Sequence, residues 1–167
     1  MNLYFLRHGK ACERSPKWKP DSTRPLTRDG EKKMFEIARG MKALGLSFDL
    51  ILTSPYIRAF RTAEIVGEVF ESKKMIESRN LIPGANPRAI LAEIHNNFAG
   101  LSEIALVGHE PFLSGLMSVL LSGGESMSIE LRKGGCGNLV IHKLAFGQCA
   151  TLDWLMTPRQ LARLPKR

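Results

Sequence analysis

The chain has 167 residues with a formal net charge of +8, enough for one sizeable hydrophobic core and little more, so a single domain over 1–167 is expected. No apolar run reaches the roughly 18–20 residues of a membrane span, and the N-terminus lacks a basic segment followed by an apolar one, so neither a membrane anchor nor a signal peptide is expected. Three widely spaced cysteines fit neither a disulfide framework nor a zinc site and read as the reduced thiols of a cytoplasmic protein. The positive balance suits acidic partners (a phosphorylated group, a nucleic acid, an acidic protein face) or simply serves solubility.

Asn2 to Leu6 reads as a first strand, broken by Arg7-His8-Gly9. Ala11 to Pro25 is polar and interrupted by Pro16, Pro20 and Pro25, a loop. A helix follows, with Thr27 as N-cap, Asp29 and Glu31 in the first turn, an apolar face of Met34, Ile37, Met41 and Leu44, and Gly45 as its stop. "FDLILTSP" is a buried strand ended by Pro55, and "YIRAFRTAEIVGEVF" carries helical periodicity. A short strand from Met75 to Glu77 precedes a helix with Asn86 as cap and Pro87 in its first position. "EIALVGHE" is a third buried strand, with a helix starting at Pro111. "GNLVIHKL" and "ATLDWLM" form an antiparallel pair, and "TPRQLARLPKR" closes the chain as a basic segment with a short helix.

This alternation predicts an α/β three-layer sandwich: a mostly parallel central sheet, antiparallel C-terminal strands and helices on both faces. Ligands of such sheets sit at the carboxyl ends of the strands. Arg7-His8, "SPYIR" with Arg58, and His109 each follow a buried strand, so the misplaced polar residues converge on one site. Two guanidinium forks and helix N-termini suit a phosphoryl group, and Gly9 would let the backbone approach it. Neighbouring cations disfavour protonation of an imidazole, which keeps His8 neutral and nucleophilic toward phosphorus.

Three segments, "LRHGKA", "LTSPYIRAFRTA" and "LVGHEP", resemble the three signatures of the histidine phosphatase superfamily, the phosphoglycerate-mutase-like fold. With "DSTRPLTRDG" and "LDWLMTP" the resemblance spans nearly the whole chain and is closest to the small bacterial phosphohistidine phosphatases. It implies His8 as nucleophile, a phosphate pocket completed by Arg7, Arg58 and His109, no metal or other cofactor, and a phosphohistidine-bearing protein as partner. Larger members of the superfamily carry a glutamate that protonates the leaving oxygen, whereas the short stretch from Glu71 to Asn86 offers no equivalent here. Glu13, Asp21 and Glu110 are the carboxylates near the motifs. Glu110 also reads as a helix cap, and Asp21 and Glu13 as solvated loop charges.

Arg24 either reaches the pocket or pairs with Asp21, and Arg61, three residues after Arg58, either shares its groove or faces elsewhere. Lys10 is expected in solvent, His95 at the surface, and His142 in a structural strand position. The basic residues are dispersed and no aromatic-studded basic strand is present, which speaks against nucleic acid. The expectation is a monomeric phosphohistidine phosphatase. The alternatives are a phosphatase of small phosphorylated metabolites, binding small phosphate or phosphate-like anions in the same pocket, and a phosphate-binding module without turnover.

Overall fold

The structure, a computed structural model, describes residues 1–72 and 74–164. Six strands form one sheet: β1 (Asn2–Arg7), β2 (Leu50–Thr53), β3 (Met75–Glu77), β4 (Glu103–Gly108), β5 (Cys136–Ile141) and β6 (Ala150–Met156), in the order β3-β2-β4-β1-β5-β6. The first four are parallel, β5 runs antiparallel beside β1, and β6 runs antiparallel beside β5 at the edge. Among the described residues, five helices surround the sheet: α1 (Arg28–Ala43), α2 (Ile57–Phe70), α3 (Pro87–Phe98), α4 (Phe112–Ser122) and α5 (Pro158–Ala162). No helix among the described residues is long and apolar enough to cross a membrane. The last three residues of the basic C-terminal segment lie outside the described residues.

The inner strands β1, β2, β4 and β5 bury both faces, as strands in a covered sheet must, while the edge strands β3 and β6 stay partly exposed. Leu3, Phe5, Leu52 and Leu106 point to one side, against Ile90 and Ile94 of α3 and Leu113, Leu116 and Leu120 of α4. Tyr4, Leu6, Ile51 and Val107 point to the other, against Met34, Ile37 and Met41 of α1, Ala63 and Val66 of α2 and Leu161 of α5. The period of two along each strand feeds two cores from one chain. Each buried aliphatic side chain contributes about 1.5–3 kcal/mol, so the scaffold under the strand ends is stiff.

The helix starts follow local chemistry. Thr27 accepts a hydrogen bond from the Gly30 N–H at 2.9 Å, Asn86 accepts one from Arg88, and Thr157 forms a capping box with Gln160. Leu44 differs from expectation: α1 ends at Ala43, and Leu44 lies beyond the apolar face, 37 % exposed, before Gly45 turns the chain at a φ of +78°. The strand expected from Gly137 to Leu144 stops at Ile141, so His142 lies past it, exposed and bonded to Thr151 at 3.0 Å.

Register decides what lies at the carboxyl edge. Arg7 pairs with Gly108 across β1 and β4, and Thr53 pairs with Val107 across β2 and β4. Three strands therefore end nearly level, and His8, Ser54 and His109 emerge together.

Candidate active site

His8 leaves β1 with its amide bonded to the Gly108 carbonyl at 3.0 Å. Its Nδ1 lies 2.7 Å from the Gly9 carbonyl oxygen. A carbonyl only accepts, so Nδ1 carries the proton and Nε2 the lone pair. Arg58, in the first turn of α2, points its Nε at that Nε2 from 3.3 Å. His109 sits with its ring centroid 5.1 Å from that of His8, and its Nε2 is 2.8 Å from Ser54 Oγ. Arg7 reaches across to the Leu131 carbonyl through Nη1 at 2.9 Å. Among the described residues, Arg7 Nε and His109 Nδ1 are buried nitrogens without a hydrogen-bond partner. The guanidinium groups of Arg7, Arg24 and Arg58 that line the pocket suit it to an anion.

The pocket measures about 530 Å³ and brings together Arg7, His8, Arg24, Arg58 and His109. Burial pushes the His8 pKa from 6.5 down to about 3. The Gly9 hydrogen bond acts in the opposite sense, and the charges of Arg58, Arg7 and Arg24 lower it further. Loss of solvation thus outranks the cations that the sequence suggested as the cause. The His109 pKa falls to about 2, again through burial first and then through His8 and Arg58. Both imidazoles are neutral at neutral pH.

Asp21, in a short 3-10 turn (Asp21–Thr23), organises the arginines. One carboxylate oxygen accepts from Arg24 Nε and the other from Arg58 Nη2, each at 2.9 Å, and its backbone carbonyl accepts from Arg58 Nη1 at 2.8 Å. Desolvation raises the Asp21 pKa, but the Arg24 hydrogen bond and the charges of Arg58, Arg24 and Arg14 outweigh it and hold the carboxyl below its usual range. A carboxylate held ionised in this way is poorly suited to supply a proton. Arg24 does both things the sequence allowed: it lines the pocket and pairs with Asp21.

Gly9 requires a correction. It does not line the pocket: a Cβ there would lie 2.6 Å from Met34 Cγ, and its N–H is taken by Thr62 Oγ1 at 3.1 Å. The glycine permits close packing on α1 and orients His8 through its carbonyl. Glu110 lies at the pocket wall with its carboxylate accepting from the Ser114 N–H at 3.0 Å, a cap on α4. Glu13 is on the rim, exposed. Lys10 is exposed and also lines the rim. Arg61 turns away to Glu31, Glu64 and Glu68, and His95 is exposed on α3.

Sequence reasoning missed Ser54, Tyr56 and Lys133. Ser54 fixes the His109 ring, and Tyr56 packs its own ring 5.1 Å from that of His109 and under the Arg58 guanidinium. Their signal was their place between a strand end and a helix start. Lys133 enters the pocket wall from an irregular segment and has no local signature.

Several known proteins resemble this chain. A family model for the histidine phosphatase superfamily (branch 1) matches residues 3–82. An uncharacterized protein of Picosynechococcus sp. is 35 % identical over 81 % of this chain and 82 % of its own length. The phosphohistidine phosphatase SixA of Escherichia coli is 27 % identical over 74 % of this chain and 76 % of its own. A solved structure of the protein histidine phosphatase SixA complexed with tungstate superposes with a TM-score of 0.83 at 22 % identity, covering 96 % of this chain and 99 % of that one.

Proposed function

From the premise that the chain belongs to the histidine phosphatase superfamily and is a phosphatase, we propose that it hydrolyses phosphohistidine carried on a protein, with His8 as the nucleophile. The observation that carries this reading is the His8 tautomer: with Nδ1–H tied to Gly9, the Nε2 lone pair is the reactive one, on the floor of an arginine-lined pocket. In the first step Nε2 attacks phosphorus, a new P–N bond forms and the substrate P–N bond breaks. In the second, water attacks the phosphorylated His8, releasing inorganic phosphate and restoring the imidazole. Arg7, Arg58 and His109 hold the equatorial oxygens, where charge is spread in the transition state.

The choice of a P–N bond follows from the carboxylates. An ester expels an alkoxide, which needs a proton in the transition state. Phosphohistidine expels an imidazole whose distal nitrogen already carries a proton from solvent, so it departs neutral. Asp21 is committed to arginines, Glu110 to a helix N-terminus, and Glu13 is solvated. A site so equipped handles the nitrogen leaving group better than the oxygen one.

A single enzyme preparation tests both parts. kcat/KM for a phosphohistidine protein should exceed that for phosphoserine and sugar phosphates by at least about two decades, the lower end of what general acid catalysis supplies. His8→Ala should abolish turnover while leaving the protein folded. Equal turnover of a sugar phosphate would promote the small-metabolite reading, and substantial activity in His8→Ala would refute the mechanism.

A further inference from the structure

The loop between β1 and α1 does more than deliver Asp21. Its base is pinned: Ala11 bridges Leu26, the Cys12 amide donates to the Pro25 carbonyl at 2.9 Å, and Arg24 Nη1 donates to the Cys12 carbonyl at 2.9 Å. Its outer part is basic. Arg14 leaves 84 % of its side chain in solvent, Lys17 and Lys19 are exposed, and Lys17 Nζ lies 4.7 Å from the centre of the half-buried Trp18 ring. Glu13 is the one acidic residue between Lys10 and Pro20. Arg14, Trp18 and Lys19 line a groove of about 550 Å³ that shares Arg14 and Asp21 with the phosphate pocket. The two depressions are therefore neighbours across one pair of side chains.

Exposed lysines need no structural explanation, since a solvated charge is stable anywhere. A cluster of cations on a pinned loop, beside a tryptophan and open to the phosphate pocket, has a more specific use. Charge lining a cleft raises the local concentration of oppositely charged partners and speeds their encounter. Tryptophan and arginine are the side chains that most often anchor an interface. Small phosphorylated molecules would gain little from a groove that lies beyond the phosphate. A partner whose surface extends past the phosphorylated side chain would span both.

We propose that the Arg14–Lys19 ledge, formed by Arg14, Lys17, Trp18 and Lys19, docks an acidic protein segment flanking the phosphohistidine. The proposal rests on the phosphohistidine reading above and adds to it the chemistry of the sequence around the scissile group. Carboxylates on the partner pair with Arg14, Lys17 and Lys19, and an apolar side chain between them covers Trp18. Within the ledge the Trp18 amide donates to the Ser15 carbonyl at 3.0 Å, and Arg14 Nε lies 3.7 Å from Asp21 Oδ1, leaving the rest of its guanidinium to the partner. This local order lowers the ordering cost of the encounter.

Two synthetic peptides, each phosphorylated on one central histidine, test this. One carries glutamates on both sides of the histidine and the other glutamines. The wild-type protein should turn over the glutamate peptide about tenfold faster in kcat/KM at low salt, within the range of electrostatic steering. The preference should vanish at 0.5 M salt. Lys17→Gln/Lys19→Gln, which alters neither the pocket walls nor Asp21, should erase most of the preference while changing the glutamine peptide by no more than about twofold. No preference in the wild type, or a preference that survives undiminished in the variant, overturns the ledge while leaving the phosphohistidine reading intact. Failure on both peptides with retained activity on p-nitrophenyl phosphate would overturn the phosphohistidine reading and the ledge with it. A single-stranded oligonucleotide that inhibits more strongly than the unphosphorylated glutamate peptide of equal charge would reassign the ledge to nucleic acid and overturn the proposal.

Discussion

Acid should destabilise this protein through two residues. His8 and His109 are 5 % and 2 % exposed, and burial holds their pKa values at about 3 and about 2 instead of 6.5. Unfolding releases both to ordinary values. Between pH 6.5 and pH 3 the unfolded chain therefore binds two protons that the native chain refuses, and native stability falls as pH falls. A pH of 5 lies about 1.5 units below the pKa of the unfolded imidazoles, which is about 2 kcal/mol each and about 4 kcal/mol together. That is a large share of the roughly 5–15 kcal/mol typical of a domain. Urea unfolding in phosphate-free buffer at pH 7.5 and pH 5 measures it directly. His8→Asn keeps an amide donor where Nδ1–H meets Gly9, and His109→Gln keeps a polar group toward Ser54. Each single variant should lose about half of the pH-dependent stability difference, and the double variant nearly all of it. A double variant that is still destabilised by about 4 kcal/mol at pH 5 would show that the buried imidazoles are not its source.

Arg58→Lys keeps the charge but loses the fork that meets His8 and Asp21 together, so kcat/KM should fall by roughly 10²-fold or more; wild-type kinetics would show the fork to be dispensable. Asp21→Ala removes a charge-assisted bond worth about 1.5–3 kcal/mol from Arg58, and kcat should fall by roughly 10- to 150-fold with the fold intact by circular dichroism. Gly9→Ala should lower stability by about 1–3 kcal/mol, the usual cost of overpacking, because the new methyl meets Met34; an unchanged urea midpoint would refute the packing role.

The residues that carry charge at strand ends were legible because an apolar run followed by Arg-His or Gly-His has few structural uses. Thr27, Asn86 and Pro87 were legible as helix starts for the same local reason. What the sequence did not disclose was register and long-range partnership. Nothing near His109 names Ser54, 55 residues away, as its partner, and nothing near Arg7 names the Leu131 carbonyl, 124 residues away. Asp21 looked like a solvated loop charge because its three arginine neighbours converge only once β1, α2 and the loop have packed. Gly9 was assigned to ligand approach because glycine in a phosphate loop usually serves that purpose. Here the steric demand comes from Met34 on α1, a contact set by helix packing.

The two neutral imidazoles among the pocket arginines imply that anion binding and proton uptake are linked. An anion in the pocket reverses the field that the histidines feel. At about 4 Å and an effective dielectric of 20, each unit of negative charge is worth about 4 kcal/mol, or roughly three pKa units. Arg7, Arg24 and Arg58 neutralise much of a bound dianion and the burial of the rings persists, so the net effect is about one unit of charge. His8 and His109 therefore rise by roughly three pKa units from about 3 and about 2. They stay mostly neutral at pH 7, where His8 must act as a nucleophile, and take up a proton near pH 5.5. Their rings are 5.1 Å apart, and a charge on His8 lowers the pKa of His109, so the pair accepts one proton readily and a second only at much lower pH. Sulfate is a suitable probe, since it does not titrate between pH 5 and 8. Its binding should take up close to one proton per site at pH 5.5, and its affinity should rise as pH falls through the raised pKa. Calorimetry in two buffers of different ionisation enthalpy counts that proton. An uptake of zero would mean that the dianion does not reach the histidines, and an uptake of two would mean that they do not oppose one another.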